Sequence, residues 1–435
     1  MAKVFVSVLG TNNYVPCSYN FGDEVVVKNA RFVQEATVSR CCKDWSESDR
    51  ILIFTTDEAE KKNWLDNGQI DPETNEPIIQ QGLKSRLDAL GLNAAVTNVK
   101  IPEGKTESEI WEIFNAILGR LGQGDEVVFD ITHAFRSIPM LVMVVLNYAK
   151  VVKGVKLLGI YYGAFEVLGS PKKVAQMPME KRIAPIFDLT PFDRLMDWTT
   201  AIGAFMRSGD ATLATDLAGA QAREILKKTR GSNEEARRLR HVAEQLRVFS
   251  QDASTCRGLD LSNDIVRLKQ ALEASKDCPI SPAFVPLLEQ LRKRLEVFTG
   301  HEVMDGIRLA QWCAEHNLIQ QGYTILRECL ITYVCKGYGV DLADFDARER
   351  ITKAIGEDLH AWHKRHEKKR VSGNAETPPL SVFQDKLDLL KVFDKLFWLR
   401  NDINHAGMRK KPSKATTLKD ELDKLIDDVR RLLLE

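Results

Sequence analysis

The first 188 residues alternate between short runs that are apolar on both faces and longer segments with the period of a helix. Apolar runs on both faces are typical of strands in a parallel sheet that helices cover on both sides. The pattern therefore predicts an α/β, Rossmann-like domain over residues 1–188. The five predicted strands lie in KVFVSVLG, RILIFTTDEA, AAVTNVKIP, DEVVFDI and KLLGIYYGAF.

Two helices of this domain have distinct signatures. TESEIWEIFNAILGRL opens with Thr106 and has Glu109 three residues later, which is a capping-box pattern. SIPMLVMVVLNYAKVV is almost entirely apolar, so we expect it to be a deeply packed helix.

After residue 188 the strand patterns disappear and amphipathic helical segments take over. We predict a helical connector over residues 189–300 that carries no chemistry, and a second helical domain over residues 301–435. Within the latter, HKRHEKKRVSGNAETPP predicts an exposed loop because Ser, Gly, Asn and Pro interrupt the helical period.

Composition excludes several classes of protein. Lys and Arg total 61, as do Asp and Glu, so no overall charge attracts nucleic acid or a membrane. The longest uncharged apolar run, Ser137 to Ala149, is too short to span a bilayer, and the start lacks the features of a secretory signal. The eight cysteines show no metal-binding spacing. We therefore expect a cytoplasmic protein with no bound metal and no membrane partner.

The first group of polar residues follows the predicted strands. In parallel sheets, ligands bind beyond the carboxyl ends of the strands, and helix N-termini there favour anions. Arg136 adds a guanidinium suited to phosphate. An alternative is that Asp130 and Thr132 only cap the next helix. The chain has neither G-x-G-x-x-G nor a P-loop, which argues against a nicotinamide cofactor and against a P-loop NTPase. The predicted ligand residues are Gly10, Thr11, Asn12, Asn13, Thr56, Thr132, His133 and Arg136.

The second group lies near the end of the chain. Arg400 continues an apolar helical stripe formed by Leu389, Phe393 and Leu396/Phe397, and His405 precedes Ala406–Gly407, a predicted helix end. Five residues turn a helix by about 140°, so one straight helix does not aim both groups at one point. A two-fold pairing of such helices would suit RNA cleavage by the neighbouring 2′-hydroxyl without a metal. The alternative is an ion-paired arginine and a capping histidine.

Together these motifs resemble a known family. FDITHAFRSIP resembles the D-x-T-H-G-x-R signature of CRISPR-associated Rossmann-fold (CARF) domains, and LRNDINHAG resembles the R-x₄-H motif of HEPN ribonuclease domains. GYTILRECLITY is similar to another HEPN helix. The order of these motifs resembles that of the stand-alone effectors of type III CRISPR systems. Ala134 departs from the glycine that is usual in the CARF signature.

The resemblance implies a CARF domain, an all-α linker and a helical HEPN domain. It implies a homodimer, or a higher oligomer, that binds a cyclic oligoadenylate, with cyclic tetra-adenylate as the expected ring. The activated HEPN domain would cleave single-stranded RNA, with Arg400 and His405 as catalytic residues and Asn401 in support. The apolar helix would then pack against its copy in the second subunit. Two alternatives stay open: a non-catalytic sensor of the nucleotide, and a CARF domain that also degrades its own activator.

Overall fold

The computed structural model describes residues 1–22, 24–71, 73–132, 138–276, 285–372 and 387–434. The chain divides into two compact units, Met1–Arg194 and Leu195–Glu435. Each unit is described by itself.

The first unit is built on a mixed sheet with the strand order β3-β2-β8-β7-β6-β1-β4-β5. The five adjacent strands β7-β6-β1-β4-β5 are parallel, and they are the five strands that the sequence predicts. The sheet is mixed rather than entirely parallel, because β8 runs antiparallel to β7 and β3 runs antiparallel to β2. The strands are β1 (Lys3–Leu9), β2 (Cys17–Phe21), β3 (Glu24–Ala30), β4 (Arg50–Thr55), β5 (Ala95–Lys100), β6 (Glu126–Asp130), β7 (Lys156–Gly163) and β8 (Ile183–Asp188).

Helices cover both faces of this sheet, as predicted. Along β1, Val4, Val6 and Val8 pack with one group of helices, whereas Phe5 and Leu9 pack on the opposite face. The fold class, an α/β domain followed by helices, is confirmed. The helices of this part are α1 (Val33–Cys41), α2 (Asp57–Ala59), α3 (Leu83–Asp88), α4 (Glu107–Arg120), α5 (Ile138–Lys153) and α6 (Pro171–Ala175), with a π-helical turn over Glu60–Trp64.

The two predicted helix signatures have different outcomes. The Thr106 hydroxyl accepts the backbone N–H of Glu109 at 3.2 Å, so the predicted cap of α4 is present. The Glu109 carboxylate accepts from the backbone N–H of Lys105, one residue before the position that a capping box uses. Helix α5 is only half covered, because Val144 is 54% exposed and Val151 is 85% exposed.

The second unit is entirely helical where the structure describes it. One continuous hydrophobic core joins α7 and α9 to α12: the rings of Phe205 and Phe249 lie 5.8 Å and 5.6 Å from that of Trp312. The predicted boundary at residue 300 stays a prediction, and it falls within this core. The helices are α7 (Thr190–Ser208), α8 (Thr212–Lys228), α9 (Glu234–Thr255), α10 (Gly258–Ala274), α11 (Val285–Leu295), α12 (Glu302–Glu315), α13 (Ile319–Gly337), α14 (Phe345–Ser372), α15 (Leu387–Asn404) and α16 (Ala415–Leu434).

The predicted exposed loop at residues 363–379 is wrong in its first part. Helix α14 continues to Ser372, because its run of Lys, Arg, Glu and His contains good helix formers and nothing that breaks a helix. Residues 373–379 lie outside the described part of the chain.

Asp264 of α10 is a buried acid in the core of the second unit. Its side chain lies 3.5 Å from the guanidinium of Arg267, and one of its oxygens has no hydrogen-bond partner within the described ranges. Burial, together with the neighbouring Asp252 carboxylate, raises the pKa of Asp264 to about 6.

We expect this acid to make stability depend on pH. The folded-state pKa lies above the unfolded value of 3.8, so the folded chain keeps a proton that the unfolded chain releases. The free energy of unfolding should therefore fall as pH rises from about 4 to about 6 and stay lower above that range. Asp264→Asn should remove this fall in urea titrations from pH 4 to 8. Asp216→Asn, which changes an exposed acid of α8, is the control. The prediction would be contradicted if the free energy of unfolding varied with pH equally in the two variants.

Candidate functional site

The loop after β1 is held by hydrogen bonds from two buried side-chain amides, those of Asn63 and Gln69. Asn63 Nδ2 donates to the carbonyls of Gly10 and Asn12 at 2.8 Å and 2.9 Å. Gln69 Nε2 donates to the carbonyls of Thr11 and Asn12 at 3.1 Å and 3.3 Å. The sequence reasoning missed Asn63 and Gln69. The side chains of Asn12 and Asn13 are exposed at the surface of this loop.

The loop after β6 is built on a buried carboxylate. Asp130 accepts from the N–H and the hydroxyl of Thr132 at 2.9 Å and 2.6 Å, and from the hydroxyl of Thr37 at 2.9 Å. The Thr132 hydroxyl in turn accepts the N–H of Gly163 at 2.8 Å, which connects β6 to β7. Burial raises the pKa of Asp130, although these three donors act in the opposite direction. Thr37 is another residue that carried no signal in the sequence.

The remaining predicted ligand residues differ in how far the structure describes them. Thr56 is buried and caps α2, because its hydroxyl accepts the N–H of Ala59 at 3.1 Å. His133 and Arg136 lie outside the described residues, so their predicted roles stay predictions.

These loops lie at one edge of the sheet. Strand β1 pairs in parallel with β4 on one side and with β6 on the other, so their carboxyl ends reach the same edge. The predicted loops 10–13, Thr56 and Thr132 follow these three strands. The edge therefore has the position at which parallel α/β sheets bind ligands.

At the other end of the chain, α15 ends between the two predicted catalytic residues. The helix ends at Asn404, and Ala406 and Gly407 have positive φ angles of 54° and 67°. The backbone N–H of His405 still bonds to the carbonyl of Asn401 at 3.0 Å. His405 is exposed just beyond the helix end. Because His405 keeps this helical bond, its expected 140° separation from Arg400 stays a prediction.

Arg400 is held by the last turn of its own helix. It is half-buried. With the Asn404 amide turned so that its oxygen faces the guanidinium, that oxygen accepts from Nε of Arg400 at 3.0 Å and from one of its terminal nitrogens at 3.3 Å. The predicted apolar stripe is confirmed at Leu389, Phe393 and Leu396, which are buried, whereas Phe397 is 42% exposed.

The turn after His405 is fixed by Asp402. This buried carboxylate accepts the N–H of Ser413 at 2.7 Å and lies 3.4 Å from Nε of Arg409. The guanidinium of Arg409 lies 4.6 Å from the centre of the Trp398 ring. The hydrogen bond from Ser413, with the charge of Arg409, lowers the pKa of Asp402.

Helix α13 packs beside this helix end and adds another arginine. The side-chain amides of Gln320 and Asn404 are in contact at 3.2 Å, and the guanidinium of Arg327 lies 6.0 Å from the centre of the Phe393 ring. Burial lowers the pKa of Arg327, and the positive charge of Arg400 adds to this effect. The sequence reasoning did not identify Arg327.

The predicted connector also reaches this region. Gln321 of α13 donates to the carbonyl of Ser254 at the end of α9, at 3.2 Å. Burial raises the pKa of the Cys256 thiol, whereas the charges of Arg257 and Arg400 oppose that rise. Arg257 is exposed and lines a cavity of about 360 Å³ that also reaches Thr324. The expectation that the connector carries no chemistry stays a prediction.

No group of three His, Cys, Asp or Glu that would hold a metal ion occurs within the ranges described. Among the same residues, no helix is long and apolar enough to cross a membrane.

The comparison with known families concerns the first unit. Residues 4–166 match the family described as CRISPR system endoribonuclease Csx1, CARF domain. The match confirms that the first unit resembles the CARF domain of a CRISPR-associated family. The match ends before Arg400 and His405.

The chain is also similar to the CRISPR-associated protein MJ1674 of Methanocaldococcus jannaschii. The two are 23% identical over 378 residues, which cover 78% of this chain and 55% of that protein. The chain therefore spans about half the length of this curated relative.

We expect removal of Asp402 to loosen the turn that follows α15. Asp402→Ala should lower the melting temperature by about 2–6 °C, because the N–H of Ser413 would lose its buried acceptor. The control is Asp388→Ala on the same helix, where an exposed acid pairs with Lys391. This change should shift the melting temperature by no more than about 1 °C. Equal shifts, measured by differential scanning calorimetry, would contradict the anchoring role.

Proposed function

We propose that this chain is a metal-independent endoribonuclease that a cyclic oligoadenylate activates in type III CRISPR defence. The observation that carries the proposal is the end of α15, which holds Arg400 and leaves His405 exposed one residue beyond the helix. The description of the matched family, which names an endoribonuclease, agrees with it. We expect the protein to act in the cytoplasm.

In this proposal, His405 moves protons during cleavage of single-stranded RNA. The neighbouring 2′-hydroxyl attacks the phosphorus and the bond to the 5′-oxygen breaks, leaving a cyclic phosphate and a free hydroxyl. Imidazole is suited to this task because its ordinary pKa lies near neutrality. Its exposure beyond the helix end gives RNA access to the ring.

Arg400 binds the phosphate and stabilises the charge that develops on its oxygens. The Asn404 amide fixes the guanidinium by accepting from two of its nitrogens, which leaves its remaining N–H groups for the substrate. Asn401 supports the pair through its carbonyl, which accepts the N–H of His405.

The activator would bind at the carboxyl edge of the first unit's sheet. The CARF match and the convergence of three loops at this edge support the assignment. The ligand would be a cyclic oligoadenylate, with cyclic tetra-adenylate as the first ring to test. His133 and Arg136 remain proposed ligand residues.

The proposal includes a homodimer formed through α5. Its exposed apolar residues Met140, Val144, Tyr148 and Val151 are spaced four, four and three residues apart, so they share one helical face. An apolar face of this kind is typical of a protein–protein interface. A ring with two-fold symmetry would also suit a two-fold protein.

The two alternatives have less support. A sensor that cuts nothing would have no use for an exposed histidine beside a fixed arginine. Self-degradation of the activator would need a free nucleophile or base. The hydroxyls of Thr56 and Thr132 already bond to the protein, which leaves Thr11 and His133 as the candidates for that role.

His405→Ala should reduce activated RNA cleavage by about 10²-fold or more, because the proton-transfer group is lost. The assay contains single-stranded RNA, EDTA and added cyclic tetra- or hexa-adenylate. His363→Ala removes an exposed histidine that pairs with Asp394 and should cut like the unchanged chain. The assignment would be wrong if His405→Ala cleaved as fast as His363→Ala.

Val144→Glu should convert the dimer to a monomer, because a carboxylate would enter the apolar face of α5. The measurement is sedimentation equilibrium or light scattering over a concentration series. Ile79→Glu introduces the same charge at another exposed apolar residue of the first unit and should leave the mass unchanged. A Val144→Glu protein that keeps the dimer mass would exclude α5 as the interface.

A further inference from the structure

Asn63 makes four hydrogen bonds from a fully buried position. Its Nδ2 donates to the carbonyls of Gly10 and Asn12, and its Oδ1 accepts from Arg31 at 3.0 Å and from Gln69 at 2.9 Å. It lies in the π-helical turn Glu60–Trp64, and π-helical turns occur frequently at functional sites. The side chain therefore uses all of its hydrogen-bonding capacity to hold one loop.

Gln69 and Arg31 complete this support. Gln69 is buried and donates to the carbonyls of Thr11 and Asn12 from a second direction. Arg31 is buried too, and its other terminal nitrogen donates to the carbonyl of Gln81 at 2.8 Å. The amides of Asn63 and Gln69 therefore have fixed orientations, because their own partners are fixed.

The orientation of the carbonyls determines the orientation of the next N–H groups. In a trans peptide, the C=O of one residue and the N–H of the next point in opposite directions, and the bonds of this loop are trans. Three successive carbonyls, from Gly10 to Asn12, point into the protein. The N–H groups of Thr11, Asn12 and Asn13 consequently point away from the protein interior.

These three N–H groups are unused by the fold. None of them bonds to another group within the described residues, although the carbonyls on the opposite side of the same peptides are all bonded. Successive backbone N–H groups that point to one side are a typical binding site for an anion such as phosphate.

We infer that Asn63 and Gln69 are positioning residues that direct the N–H groups of Thr11, Asn12 and Asn13 toward a phosphate of the activator. The inference rests on the proposed function, since it takes the ligand to be a cyclic oligoadenylate. It goes further by assigning the contact to the backbone of the loop and the orientation to two buried amides. The side chains of the loop are then free to contact other parts of the ligand.

Asn63→Asp is the sharpest test of this role. The variant keeps an oxygen that accepts from Arg31 and Gln69, but it places a second oxygen against the carbonyls of Gly10 and Asn12. These carbonyls should turn away, and the following N–H groups would lose their fixed direction. Gln69→Met is the milder second variant, which removes only one set of donors. Gln123→Glu, at an exposed turn before β6, is the matched control.

The measurement is RNA cleavage against the concentration of cyclic tetra-adenylate and, separately, cyclic hexa-adenylate. The activator concentration that gives half-maximal cleavage should be at least about tenfold higher for each positioning variant. This factor corresponds to the loss of one hydrogen bond to a charged group. The maximal rate at saturation should stay within about twofold, because no group at Arg400 or His405 is changed. Hydrogen exchange of residues 11–13 should slow on activator binding in the unchanged chain and much less in the variants.

The outcomes separate this inference from the proposed function. If neither ring binds to or activates the unchanged chain, the proposed function fails. If the unchanged chain responds but Asn63→Asp and Gln69→Met respond like Gln123→Glu, the inference alone is overturned. A lower maximal rate at an unchanged half-maximal concentration would overturn it as well. If Asn63→Asp does not fold, Gln69→Met decides.

Discussion

The first unit depends on the buried carboxylate of Asp130 at the end of a central strand. A carboxylate removed from water is costly unless donors surround it, and here Thr37 and Thr132 supply three. These donors tie α1 to β6, and the Thr132 hydroxyl ties β6 to β7 through Gly163. Loss of any one donor would leave the buried carboxylate with fewer hydrogen bonds and raise its pKa further. The carboxyl edge of the sheet is consequently rigid beneath the loops that it carries.

Buried polar side chains also support the loop after β1, but here they are amides and not a carboxylate. Asn63 and Gln69 are both buried and bond to backbone carbonyls, so the loop has one conformation rather than several. A preorganised loop loses little entropy when a ligand binds. At this edge, buried polar side chains thus hold the loop after β1 and Thr132, which follows β6.

The sequence predicts the parts of the fold that local patterns encode. The five parallel strands and the cap at Thr106 follow from apolar periodicity and capping chemistry, which act within a few residues. Strands β2, β3 and β8 were missed because they contain polar residues or proline and depend on pairing with distant strands. The helix end beyond Arg400 follows from the local Ala406–Gly407 pair. Asn63 and Thr37 gave no signal, because their importance arises only from contacts far away in sequence.

The region around Arg400 explains why a single copy of the proposed catalytic motif would be incomplete. The charges of Arg327 and Arg400 are close enough to repel, while the Glu328 carboxylate pairs with Arg327 and the Asn404 amide beside Arg400 is neutral. Pairing two such helix ends would bring further positive charges together, which is unfavourable without an anion between them. An RNA phosphate supplies that anion. In the proposed dimer, substrate binding and the approach of the two helix ends would therefore stabilise each other.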